Sequence, residues 1–161
     1  MEKKIIKAKF NILHVQSQGV HFCMDLEFVK KVLPLVLFES IPGSAHYVAG
    51  LMNMAGRSIP VIDFGLCLGL NRNRPYSLST PIVLCGDENR EIGLIMDGVF
   101  GVTCIEKESL QMEEKFNNSS SPFLGTTLLG GNLALLIDMN EVLKIDLITT
   151  NPSLFLDGAS E

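Results

Sequence analysis

The chain has no tryptophan and only two tyrosines among its 161 residues. Flat aromatic platforms for stacking bases are therefore scarce. A basic excess is missing too. Lys plus Arg is 13 against 18 Asp plus Glu, so the net charge is 13 − 18 = −5. Nucleic-acid binding normally leaves a basic footprint, and no nucleic-acid partner is expected. No apolar run reaches the roughly 20 residues of a membrane helix. The opening "MEKKIIKAKF" is charged and lacks the apolar centre of a secretory leader. The expectation is a cytoplasmic protein with no direct membrane insertion.

The signatures of catalysis are absent as well. Cys23, Cys67, Cys85 and Cys104 lie 44, 18 and 19 residues apart, with no C-x-x-C pair. They read as free thiols in a reducing compartment. His14, His21 and His46 show no metal-binding spacing and read as surface or edge-strand residues. The phosphate-cradling, dinucleotide, zinc-protease and nucleophile-elbow patterns do not occur. No metal, cofactor or catalytic residue is expected. Ser119, Ser120 and Ser121 sit beside Asn117 and Asn118 and read as a solvated loop.

What is present is hydrophobic residues at 47%, with charged residues at 19%. That suits one domain, or two small subdomains sharing a core. Strand signals dominate. "KAKFNILHVQ" alternates, turns at Ser17-Gln18-Gly19, and "VHFCMDL" follows as a hairpin partner. "DLEFVKKVLPLVLF" reads as a short helical turn, capped by Asp25 and limited by Pro34. Residues 39–50 are a loop. A second hairpin has strands at 50–54 and 58–62, turning at Ala55-Gly56-Arg57. Residues 71–81 form a polar connector. A third hairpin turns at Gly86-Asp87-Glu88-Asn89 and leads into a further strand. Residues 113–123 are the most loop-like. A glycine-turned hairpin and a short helix then close the domain, and Leu154, Phe155 and Leu156 could dock from the tail.

An internal repeat organises these elements. "GLMNMAGRSIPVID" (50–63) lies over "GTTLLGGNLALLID" (125–138) at an offset of 75, matching Gly50 with Gly125, Gly56 with Gly131, Ile62 with Ile137 and Asp63 with Asp138. Met24-Asp25 and Met96-Asp97 match at 72. The simplest reading is two similar small barrels, each opening with a hairpin and ending in hairpin, aspartate and helix. Neither could bury much alone, so they should share a core.

Asp63 could be one of two acids converging on a pocket, or a helix cap. Its recurrence as Asp138 favours a fold feature used twice. Asp138-x-x-Glu141 also fits a capping box. Met52, Met54, Met96 and Met112 suit either core filling or an adaptable surface. Gly50 and Gly56 serve backbone conformation or close approach.

"YVAGLMNMAGRSIPVIDFGLCLGL" resembles the chemotaxis coupling protein (CheW) family, through Gly50, Asn53, Gly56, Pro60, Val61, Asp63, Leu68 and Gly69. "REIGLIMDGVFGV" and "FLGTTLLGGNLALLIDMNEVL" are similar to two further family segments, in order. The likeness covers about residues 8–145. It implies a mainly β fold: two SH3-like five-stranded barrels around a shared core, with short helices, as a single domain of two intertwined barrel subdomains over 5–146 with a tail at 147–161. It also implies a non-enzymatic adaptor. The partners would be the regulatory domain of a CheA-like histidine kinase and the cytoplasmic tip of a chemoreceptor, in membrane-associated arrays. The binding residues it implies are Val29, Lys31, Gly50, Asn53, Gly56, Arg57, Val99 and Val102; Asp63, Asp138 and Glu141 would be caps. The sequence departs from the pattern twice. Ala55 stands where the family has arginine, with Arg57 two places on, and Lys31 stands where it has an acid. A self-associating array module of the same fold, without receptor coupling, is the alternative. A small-molecule-binding or hydrolytic domain using the inter-barrel cleft, with Asp63 as the acid to test, is a third reading.

Overall fold

A computed structural model describes residues 7–112 and 121–148. The expected loop at 113–123 falls mostly outside them, and the expected docking of Leu154, Phe155 and Leu156 wholly so.

Among the described residues ten strands carry the fold: β1 (Lys9–Ser17), β2 (Val20–Asp25), β3 (Val29–Pro34), β4 (Val48–Met54), β5 (Arg57–Asp63), β6 (Pro81–Gly86), β7 (Glu91–Ile95), β8 (Gly98–Glu106), β9 (Phe123–Leu129) and β10 (Asn132–Ile137). Two one-turn helices follow β5 and β10, α1 (Phe64–Cys67) and α2 (Met139–Val142). No helix among the described residues is long and apolar enough to cross a membrane. The local turns follow from residue chemistry. Gln18-Gly19 and Ala55-Gly56 both take positive φ, at 50° and 80° and at 51° and 85°. That pair of left-handed residues matches the twist of a two-residue hairpin.

The strands form two five-stranded sheets, in the orders β8-β1-β2-β10-β9 and β3-β6-β7-β5-β4. The fold is mainly β, as expected. Each sheet joins a hairpin to a second hairpin through one parallel contact, β2 with β10 and β7 with β5. β1 shows why three layers of packing result. Phe10 and Ile12 face one apolar cluster with Cys23 and Leu136, inside the first sheet's curl. Leu13 and Val15 face a larger cluster that also holds Phe22, Ile62, Val83, Leu94 and Ile137. That cluster draws on both sheets and is the shared core. A third cluster of Met52, Ile59, Val61, Ile82, Leu84 and Ile95 fills the second sheet's curl.

Three expectations need correction. First, only Leu26–Phe28 is helical after Asp25, as a 3-10 turn, and Asp25 accepts from the Glu27 N–H at 3.0 Å. The following VKKVLP is the edge strand β3, antiparallel to β6. Two β-branched valines with a sheet edge to pair against outweigh a helical reading of an isolated stretch.

Second, the repeats are not the barrels. The first repeat runs β1 to β5 and the second β6 to β10. Each sheet takes the opening hairpin of one repeat and the last three strands of the other. The two halves have exchanged hairpins, so neither can close without its neighbour. Third, pairing sets the equivalence of the opening strands at an offset of 70, not 72. Leu13 pairs with Met24 as Val83 pairs with Leu94, and Val15 pairs with Val99 as Cys85 pairs with Val29. Met24 therefore answers to Leu94, and its match with Met96 is accidental.

The closing hairpins do superpose at 75, and Gly50 shows what that spacing protects. Glu39 and Leu51 exchange backbone hydrogen bonds at 2.8 and 2.7 Å, as Gln111 and Thr126 do at 2.8 and 3.0 Å. A Cβ on Gly50 would stand 2.4 Å from the Glu39 carbonyl oxygen, and one on Gly125 2.6 Å from that of Gln111. Both glycines let a crossing segment touch the sheet. Gly50 also has φ +151°, so approach and conformation are both at stake. Gly56 has open space around it and serves conformation alone.

Asp146, Leu147 and Ile148 are tied to the segment before β4. The Ala45 N–H donates to the Leu147 carbonyl at 2.9 Å, the Tyr47 hydroxyl donates to the Asp146 carbonyl, and Ile148 bridges Ser44.

Candidate functional site

β3 and β8 are the matching edge strands of the two sheets, and among the described residues each is bonded to a strand on one side only. Both carry a bulge. Val29 pairs with Cys85 and Lys31 with Leu84, which leaves Lys30 as the extra residue. Val99 pairs with Val15 and Gly101 with His14, which leaves Phe100 extra. Val29 and Val99 pack against the shared core. Val32 and Val102, the next valines along, are exposed at 42% and 55%. Lys31 is exposed, between Val29 and Val32 in sequence. Each edge thus offers one valine to the core and one to solvent, with backbone groups open beside them. Such an edge accepts a partner strand or packs beside an apolar ridge.

The β4–β5 turn supplies a polar cluster. The Gly56 N–H donates to Asn53 Oδ1 at 3.0 Å, so Asn53 shapes the turn. Arg57 Nη1 donates to Glu91 Oε1 at the start of β7. Lys30 Nζ lies 3.5 Å from the other Glu91 oxygen. One carboxylate thus gathers a cation from β3 and a cation from β5 at one end of the second barrel. Ala55 is exposed and left-handed, and Arg57 already belongs to β5.

Asp63 ends β5 and is 1% exposed. Its Oδ1 accepts the Leu66 N–H at 3.1 Å, which caps α1. Its Oδ2 accepts from Arg72 Nε and from the Tyr76 hydroxyl, both at 2.6 Å. Arg72 Nη1 goes on to Asp97 Oδ1 at 3.2 Å, and its guanidinium lies 4.4 Å from the Tyr76 ring centre. Asp97 Oδ2 takes the Gln18 N–H at 2.6 Å. The polar connector therefore clasps both sheets through a buried charge. Burial penalises the Arg72 cation, yet the bond and charge of Asp63 outweigh this and raise its pKa. Burial and the Asp63 bond likewise push the Tyr76 hydroxyl up. An aspartate this buried, and bonded to a guanidinium, a phenol and a backbone amide, presents no accessible oxygen to a substrate. The geometry does not offer the paired, accessible acids that a hydrolytic cleft requires.

Asp138 stands at the matching place, but the capping box does not form. Asp138 has no side-chain bond to the helix amides; its carbonyl instead accepts from the Glu141 and Val142 N–H groups at 3.1 Å. The Asp138 N–H that Glu141 would need donates to the Pro122 carbonyl at 2.7 Å, and Glu141 turns to Lys144 at 3.2 Å. The parallel backbone bond from Asp63 to Tyr47, at 2.8 Å, is what the two repeats share.

A CheW-like domain model matches residues 11–146. The chain belongs to the CheW-like domain family. Its relatives include the chemotaxis protein CheW of Thermotoga maritima, 24% identical over 139 residues, which span 84% of this chain and 89% of that one. CheW of Rhizobium meliloti is 22% identical over 125 residues, or 75% and 79% of the two chains. The crystal structure of the scaffolding protein TtCheW from Thermoanaerobacter tengcongensis superposes with a TM-score of 0.71 at 23% identity, over 80% of this chain and 88% of that one. The two-sheet fold is thus the CheW scaffold fold, and the family's role is that of a chemotaxis scaffold.

Several features were missed from sequence. Arg72 and Tyr76 lay in a stretch read only as connector. His14 and His21 are not edge-strand residues; they stand on the neighbouring inner strands β1 and β2, with His14 Nε2 and His21 Nδ1 2.8 Å apart. The hairpin register, which sets His14 opposite Cys23 and Gln16 opposite His21, was the signal that could have found them. Met52 and Met96 are core filler at 2% and 0% exposure, whereas Met112 is exposed. The described residues hold no cluster of three or more potential metal ligands. Burial pushes the Cys23 and Cys85 thiols up to about 12, and burial with the nearby Asp63 raises Cys67 to about 11. Such thiols are poor nucleophiles at neutral pH.

Proposed function

We propose that this chain is a non-enzymatic adaptor that couples chemoreceptors to a CheA-type histidine kinase in membrane-associated arrays. Its family membership and the absence of free, paired acids at Asp63 support that reading. The observation that carries it is the matched pair of edge strands. Val29 and Val99 border the shared core from both barrels, Val102 stands exposed beside Val99 on β8, and a receptor's helical tip has an apolar ridge to lay against them. Lys31 and Arg57 are the charged residues we assign to the same surface. Lys31 replaces an acid there, and Arg57 is already neutralised in part by Glu91. The electrostatic match to a receptor therefore differs from that of the family pattern, and such matching sets partner choice more than affinity. The kinase regulatory domain, a homologous fold, meets the barrel ends.

Titration calorimetry of the chain against a receptor-tip fragment, and separately against a kinase regulatory domain, tests this. Binding to both, in the micromolar range typical of small transient interfaces, is expected. Self-association with no binding to either would favour the array-module alternative.

A further inference from the structure

The bulges of the two edge strands are held by different chemistry. At the pairing offset of 70, Phe100 of β8 answers to Lys30 of β3, and His21 of β2 to Glu91 of β7. In one barrel the bulged Lys30 reaches Glu91 at 3.5 Å. In the other, the bulged Phe100 ring sits on two imidazoles, with its centroid 4.7 Å from His14 and 5.7 Å from His21. An ammonium and a carboxylate are side-chain types that do not titrate near neutrality. Imidazole is the type that does.

The two histidines constrain how many protons the site can hold. Of His14 Nε2 and His21 Nδ1, 2.8 Å apart, one must donate and the other accept. One extra proton keeps that bond, because an imidazolium donating to a neutral imidazole is charge-assisted. Two extra protons place an N–H on each facing nitrogen and two positive charges side by side. Burial, and then the charge of His21, lower the His14 pKa. The other titratable groups on the packed strands are few. On β2, Cys23 is directly across from His14 with its thiol pushed to about 12, and Asp25 is drawn to Lys7 at 3.5 Å. On β8, Cys104 stands opposite Asn11, and Glu106 pairs with Lys9 at the far end of β1, at 3.6 Å. β10 carries no titratable side chain. Asp97, just before β8, bonds the Gln16 carbonyl through its N–H and commits its carboxylate to the Gln18 N–H and Arg72 Nη1.

We propose that His14, His21 and Phe100 form a proton-operated latch on β8: with at most one extra proton the pair seats the Phe100 bulge, and with two it splits and releases the bulge together with its neighbours Val99 and Val102. What the release does rests on the adaptor reading, since Val99 and Val102 belong to the surface assigned to the receptor. There, acidification would weaken docking while the Lys30–Glu91 side stays in place.

The test needs no partner. Heteronuclear NMR of the full chain, from about pH 8 to about pH 5, follows the two imidazoles, the Phe100 ring, and the Gly101 and Lys31 amides. Phe100 and Gly101 should shift together with the pair's second protonation step, at a midpoint below the ordinary imidazole value of about 6.5. Lys31 should not follow. The step should vanish from Phe100 and Gly101 in His21→Gln, and again in His14→Gln. Flat Phe100 and Gly101 signals through the imidazole titration, or a step that survives both variants, would overturn the latch. A receptor-tip fragment titrated at both pH extremes gives the separate answer. No binding at either pH counts against the adaptor reading, while the NMR result alone decides the latch.

Discussion

Asp63→Ala is expected to lower the free energy of unfolding by about 3 to 5 kcal/mol, the usual cost of stranding one partner of a buried ion pair. A simple helix cap would cost only about 0.5 to 2 kcal/mol, so the size of the loss separates two roles. Asp63 is 1% exposed, and its removal would leave the Arg72 guanidinium, the Tyr76 hydroxyl and the Leu66 amide to find new partners. Arg72 keeps Asp97, and its side chain is 14% exposed, which places the expectation toward the lower end. Urea unfolding of Asp63→Ala, Arg72→Leu and the double variant measures it. The double variant should lose clearly less than the sum of the singles, because removing both charges leaves neither stranded. A loss near 1 kcal/mol from Asp63→Ala, with strict additivity, would reduce Asp63 to a cap and the connector to a tether.

Val102→Asp is expected to weaken receptor-tip binding by about tenfold or more, the effect of spoiling a central apolar contact. Its side chain is 55% exposed at the sheet edge, so the melting temperature should barely move. Val99→Asp should do both, since Val99 packs on the shared core. The contrast between neighbours on one strand is the informative part. Equal loss of binding with no loss of stability from both would mean that Val99 does not support the core. Unchanged binding in Val102→Asp would remove β8 from the receptor surface.

Legibility tracked sequence distance. The hairpins could be read because their turns are local: Gln18-Gly19, Ala55-Gly56 and Gly130-Gly131 announce themselves in two residues. The repeat itself could not show the exchange of hairpins, because β1 chooses β8 and β6 chooses β3 across the chain and no local pattern records that choice; only the family resemblance implied intertwined barrels. VKKVLP failed as a strand for a related reason. An edge strand that buries only part of one face has no clean alternation to display. Asp63 was found because the repeat pointed to it, yet the repeat also predicted a capping box at Asp138 that pairing with Pro122 displaces. The residues that make Asp63 more than a cap, Arg72 and Tyr76, lie in a connector whose composition signals only solvent. The resemblance to the CheW family singled out Val29, Lys31, Val99 and Val102, which lie on the two edge strands β3 and β8. It could not show that their bulges hold a charged pair on one side and a histidine pair on the other.

The adaptor claim stands or falls on simultaneous binding. A kinase regulatory domain should sediment with membrane-tethered receptor-tip fragments only when this chain is added, and less so when the chain carries Val102→Asp. Sedimentation of the kinase domain that is indifferent to the chain, or a chain that binds one partner only after releasing the other, would contradict it.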